Sequence, residues 1–137
     1  MSRRQFGPMM IRLCATIGLA LLAALPARAV ELVMVEQPGC AYCAAWDDAI
    51  APIYPKTDAG KFAPLRRVDL HDGPPEGITY ARPARFTPTF IIIDDAGTEV
   101  ARIEGYPGED FFWGLLEKML AENTDFLTAF PPQSAVN

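Results

Sequence analysis

The sequence predicts an α/β protein, a central mixed sheet flanked by helices in the order β-α-β followed by β-β-α. Three observations point there. An unbroken apolar run, Leu32-Val33-Met34-Val35, has the composition of a strand buried on both faces. A helical pattern begins almost at once after it, at the Cys-Ala-Tyr-Cys stretch of residues 40–43. In the second half, the β-branched run Phe90-Ile91-Ile92-Ile93 is followed by a hairpin signal and then by an amphipathic helix.

After the first strand, Pro38-Gly39 turns the chain toward the helix, where Trp46, Ile50 and Ile53 recur at helical spacing and Asp47 and Asp48 fall elsewhere. Pro52 lacks an N–H and is expected to kink or end this helix. Residues 55–64 contain two prolines, a glycine and polar residues, which predicts a loop with room for one turn of helix. Leu65 to Leu70 reads as a second strand with Val68 and Leu70 facing inward, and His71 to Gly77 as a plain loop. Phe90 to Ile93 is the central strand, Asp94-Asp95-Ala96-Gly97 its hairpin connection, and Thr98 to Glu104 the partner, with Val100 and Ile103 as its apolar members. Past the turn Gly105-Tyr106-Pro107-Gly108, Glu109 and Asp110 open a helix whose N-terminal dipole favours acids. Phe112, Leu115, Leu116, Met119 and Leu120 are its predicted buried stripe. The folded domain is thus expected over 30–124, and residues 125–137, with Pro-Pro and small polar residues, as a frayed tail.

Residues 1–29 have the pattern of an export leader. Arg3 and Arg4 supply a basic start, an apolar stretch follows, and Ala27-Arg28-Ala29 ends it with small residues where a signal peptidase reads. The apolar core from Leu13 to Leu25 is too short for a spanning helix, which needs roughly 20 residues. Cleavage is expected before Val30, with no stable membrane insertion afterwards; the paired arginines leave the Sec and twin-arginine routes both open. Without the leader's four arginines, 8 Lys/Arg remain against 17 Asp/Glu, a net charge near −9. Such a surface argues against nucleic acid or an anionic membrane as partner. Cys14 leaves with the leader, so Cys40 and Cys43 are the remaining thiols, in an oxidising compartment where a disulfide persists.

The three-residue spacing of Cys40 and Cys43 at a strand-to-helix junction carries the chemistry. A thiol attacks only as thiolate. A helix N-terminus offers free N–H groups and about half a positive charge, which should lower the pKa of Cys40. Cys43 sits one turn inside on the same face, within reach of a disulfide but more shielded. Cys40 would attack a partner's disulfide and Cys43 would resolve the mixed disulfide. Two other readings stay open. A structural disulfide would close only a tiny loop, and soft thiolates also suit Cu(I). No other metal is indicated, since the single histidine, His71, lies in a separate loop. No cofactor is implied.

Cys40-Ala-Tyr-Cys43, Thr87-Pro88-Thr89 ahead of the central strand, and the hairpin with its final helix together resemble the thioredoxin superfamily, over about residues 31–121. PGCAYCAAW, FTPTFIIID and IEGYPGEDFFWGLL resemble more closely the exported thioredoxin-like SoxS proteins of sulfur-oxidation systems. The resemblance implies a thioredoxin-like fold and a periplasmic thiol–disulfide oxidoreductase. It further implies a cis peptide bond at Pro88, substrate contact through the backbone of Thr87, a sulfur-carrier protein as substrate and a membrane thiol-electron transporter as donor.

The chain also departs from thioredoxin. Ala41 and Tyr42 replace Gly-Pro between the cysteines, and the neutral Tyr42 lacks the charge of the histidine that oxidases of this fold often carry there, which favours a reductant. Met34 stands where thioredoxin has a buried aspartate. Glu36, two residues on and on the same side by strand alternation, is either its replacement in proton transfer or a solvated acid. Gly108-Glu109-Asp110 resembles the glutathione-holding turn of glutaredoxins, although ordinary helix-start acids explain it as well. Arg82 and Arg85 are either a basic rim beside Thr87 or solvated loop charges.

Overall fold

The computed structural model describes residues 28–132. The expected leader falls almost wholly outside them. In order, the elements are β1 (Glu31–Glu36), α1 (Ala41–Ala49), a 3₁₀ turn (Tyr54–Lys56), α2 (Asp58–Phe62), β2 (Leu65–Asp69), β3 (Thr89–Ile93), β4 (Glu99–Glu104), α3 (Glu109–Asn123) and α4 (Phe126–Ala129). The sheet order is β2-β1-β3-β4. β1 runs parallel to β2 and antiparallel to β3, which pairs antiparallel with β4, so the sheet is mixed as predicted.

Burial follows the strand pattern. Every residue of β3 is buried, as are Leu32 to Val35 of β1, the two central strands. Leu32, Met34, Phe90 and Ile92 point to one face and join Trp46, Phe112, Leu116 and Leu120 in the main core. Val33, Val35, Ile91 and Ile93 point to the other face, under Ile78 and the partly buried Val68, Leu70 and Tyr80. Val100 and Ile103 cannot share a face of a regular strand. A register shift at Ile92/Ile93 lets both approach the same core.

Aromatic rings fasten the helices to the sheet. Trp46 of α1 lies 5.2 Å from Phe90 and 5.7 Å from Phe112 of α3, and Phe90 lies 4.9 Å from Phe112. Each such pair adds about 0.5–1.5 kcal/mol beyond its buried area. The N-terminus of α1 is thereby held on a rigid platform.

Four expectations need correction. α1 ends at Ala49, short of Pro52 as expected, but Ile53 is exposed rather than part of its buried stripe. The 55–64 segment holds a 3₁₀ turn and a five-residue helix, because Thr57 caps α2 through Gly60 N–H and buried Tyr54 donates its hydroxyl to Ala63 C=O at 2.6 Å. Leu115 is exposed, while Phe112, Leu116 and Leu120, four residues apart, form the stripe. The fraying expected beyond Thr124 does not begin there: Phe126 is buried, 5.3 Å from Phe62.

Candidate functional site

The sequence that ends β1 builds the site. Gly39 adopts a positive φ of 77°, which an L side chain disfavours, and so turns the chain sharply ahead of α1. Cys40 then takes the N-cap position with extended backbone (φ −78°, ψ 103°), and its Sγ accepts from the Cys43 N–H at 3.1 Å. A sulfur stands here where a serine or aspartate oxygen commonly caps a helix. Cys40 and Cys43 are joined as a disulfide with Cα atoms 5.2 Å apart. Their environments differ. Cys43 is 4% exposed and belongs to the core, whereas Cys40 is half-buried at its edge. Ala41 and Tyr42 between them face solvent.

The Thr87–Pro88 peptide bond is cis, as the resemblance implies, and Pro88 is buried. Pro88 C=O accepts from Gly105 N–H at 2.7 Å, which ties this segment to the end of β4. Thr89 Oγ1 donates to Phe86 C=O at 2.7 Å and closes the turn before β3.

An open cleft of about 670 Å³ borders the dithiol, lined by Glu36, Gln37, Cys40, Cys43, Asp47, Arg67 and Asp69 among others. Arg67 bridges two acids: Nη1 is 2.7 Å from Glu36 Oε2, and Nη2 is 2.6 Å from Asp47 Oδ1. Its guanidinium lies 5.8 Å from the Trp46 ring centroid and 3.7 Å from Met34 Sδ. The hydrogen bond to Asp47 first, then the bond and charge of Glu36, hold Arg67 more firmly protonated than usual. Glu36 is thus neither buried nor simply solvated; it is an ion-paired acid on the wall of the cleft. Met34 is fully buried, so no carboxylate lies beneath Cys43 at that position.

The other sequence candidates are placed as follows. Arg82 is paired with Glu104 at 2.8 Å, and its carbonyl accepts from Arg102, so it is not an unpaired rim charge. Arg85 is exposed. Glu109 and Asp110 occupy the first turn of α3 after Gly108, as ordinary N-terminal acids would. Among the described residues, no group of three or more His, Cys, Asp or Glu is assembled to hold a metal, and no helix is long and apolar enough to cross a membrane. Sequence reasoning missed Gln37, Asp47 and Arg67. Arg67 was detectable in principle, since alternation through Val68 and Leu70 puts it on the opposite, α1-covered face.

A dithiol at the start of a helix, on a four-stranded mixed sheet beside a cis-proline, defines a thiol–disulfide oxidoreductase of the thioredoxin kind. Residues 20–120 match the family model described as a thioredoxin-like domain, and the chain belongs to that family. It is SoxS-like within it: the periplasmic thioredoxin SoxS from Paracoccus pantotrophus, in reduced form, is 50% identical, with a TM-score of 0.66 over 68% of this chain and 97% of that one. A thioredoxin-fold protein from Helicobacter pylori, 16% identical, shares the fold alone (TM-score 0.53, 72% of this chain and 71% of that one). No curated protein matches the chain.

Proposed function

We propose that the chain is an exported, periplasmic reductase of protein disulfides, with Cys40 as nucleophile and Cys43 as resolving thiol. One observation carries the assignment: Cys40 Sγ sits at the N-cap accepting the Cys43 N–H, while Cys43 is buried one turn inside. A hydrogen bond from a backbone N–H to sulfur strengthens when the sulfur is a thiolate. Ionisation therefore costs less at Cys40 than at the shielded Cys43.

In the reduced protein, the Cys40 thiolate attacks one sulfur of the partner's disulfide. A Cys40–partner bond forms, and the partner's other sulfur leaves as a thiolate that takes up a proton. Cys43 then loses its proton and attacks Cys40 Sγ, the mixed disulfide breaks, and the partner's second thiol departs. The partner gains two electrons and two protons, and Cys40–Cys43 closes as the disulfide. A donor dithiol must reopen it, which fits a membrane thiol-electron transporter.

The partner's chain would pair with the backbone of Thr87, while Pro88 offers a flat wall without an N–H. Tyr42, between the cysteines, and Phe86, next to Thr87 in the chain, are 66% and 61% exposed and would offer the partner apolar contact. The SoxS resemblance supports a sulfur-carrier protein as the partner. Export rests on the leader pattern of residues 1–29, and the periplasmic SoxS relative supports the same compartment.

Trapping tests this reading. Cys43→Ser, exported with its own leader, should hold its partner as a stable mixed disulfide that mass spectrometry identifies, whereas Cys40→Ser should trap almost nothing. Equal trapping by the two variants would overturn the nucleophile. Failure of both to trap, together with tight Cu(I) binding by the reduced protein, would replace the reductase with a copper-binding module.

A further inference from the structure

One side-chain hydrogen bond joins the two loops that meet at the dithiol, and the reaction above does not use it. Gln37 Nε2 donates to Thr87 Oγ1 at 2.9 Å, half-buried, between segments 50 residues apart. Its place follows from register. In the antiparallel β1–β3 ladder, Val33 faces Ile91 and Val35 faces Thr89. Continued by one more pair of residues on each strand, that register sets Gln37 opposite Thr87. The ladder itself cannot continue normally, because Pro88 has no N–H to give. Thr87's own N–H and C=O enter no backbone hydrogen bond among the described residues. A side-chain bond has taken over where backbone pairing stops, and it leaves the Thr87 backbone open.

We propose that Gln37 is a positioning residue, a latch that holds the partner-binding segment in register with Cys40. This rests on the reading of the dithiol as a reductase of protein disulfides that pair with the Thr87 backbone. Gln37 is tied at both ends of the reaction: its C=O accepts from Cys40 N–H at 3.4 Å, and its amide grips Thr87. Sulfur exchange needs the attacking, central and leaving sulfurs nearly in line. A partner chain fixed on Thr87 presents its disulfide correctly only if Thr87 and Cys40 keep a set separation. Small misplacements of reacting groups are costly, up to about a hundredfold in rate per ångström. A small disulfide that never touches Thr87 has no such requirement.

The test compares two substrates. Gln37→Leu removes the donor, and Thr87→Val removes the hydroxyl while keeping shape and backbone. For each variant, the rate of reducing insulin, divided by the rate with dithiobis(nitrobenzoate), should fall about tenfold. The double variant should fall no further than either single one, and Thr87→Ser should restore the ratio to within about twofold. A merely structural role would slow both substrates alike and leave the ratio unmoved. An unchanged ratio in both single variants, or losses that add in the double, overturns the latch. If Gln37→Leu does not fold, Thr87→Val against Thr87→Ser decides by the same ratio. A wild-type protein that reduces the small disulfide but no protein disulfide overturns the latch and the proposed function together; an active wild type with insensitive variants overturns the latch alone.

Discussion

Met34 is buried and apolar, so the proton that Cys43 sheds on resolving has no carboxylate directly beneath it. The cleft that Cys43 borders carries Glu36 and Asp47, gripped by Arg67, on its wall. We propose that Glu36 receives that proton, a role that a substitution separates from a plain surface ion pair. Glu36→Gln keeps size and hydrogen bonding but cannot take a proton, and water replaces it only in part. Release of the mixed disulfide should slow roughly three- to tenfold, less than the full effect of a general base, while the first attack by Cys40 stays nearly unchanged. Stopped-flow separation of the two steps checks this; equal slowing of both, or of neither, returns Glu36 to a plain surface ion pair. The sequence marked Glu36 by alternation along β1. It could not show that Arg67 pins it, because that pairing depends on β2 lying parallel to β1 with Arg67 opposite Met34.

Elements were legible where their pattern was long, and misread where neighbours chose among faces. In α3 the apolar residues allow two stripes, Phe112-Leu116-Leu120 and Phe111-Leu115, and only the ring cluster on Phe90 selects the first. α4 was missed because four residues carry no periodic signal; its burial comes from Phe62 on a distant element. The link between α1 and α2 depends on Tyr54, whose hydroxyl is buried and whose pKa burial pushes well above its ordinary value near 10. The folded protein therefore retains a proton that the unfolded chain loses above about pH 10. Stability from this group is complete below that pH and is lost as pH rises toward the folded-state value. Tyr54→Phe should lower stability at neutral pH by about 0.5–1.5 kcal/mol through the lost bond to Ala63. It should also flatten the alkaline decline. Urea unfolding at pH 8 and at about pH 10.5 measures both, and an equally steep decline in the variant would disprove the linkage. Burial also raises Tyr80 and Tyr106, so part of the decline should remain.

For the molecule as a whole, direction of electron flow is the governing property. The Cys40 thiolate is favoured by the helix N-terminus, yet Tyr42 is neutral and exposed and adds no charge to it. The reduced form is thus stabilised only moderately. The Cys40–Cys43 couple should have a potential between about −270 and −200 mV, among reductants, rather than near −120 mV as for the strongest oxidases. Equilibration with glutathione measures it; a value above about −150 mV would make the protein an oxidant and reverse the proposed flow. The excess of 17 acidic over 12 basic residues should also make encounter with a basic partner face faster at low salt.

The sequence alone settled the order of the four strands and the two long helices, the two central strands and the dithiol at a helix start. Each of these depends on local pattern: continuous apolar runs, a glycine before a cap, apolar residues at helical spacing. Tertiary structure alone decided which carboxylates Arg67 gathers on the cleft, and that Gln37 meets Thr87. Those facts depend on register between strands far apart in the chain, and no local pattern encodes a register.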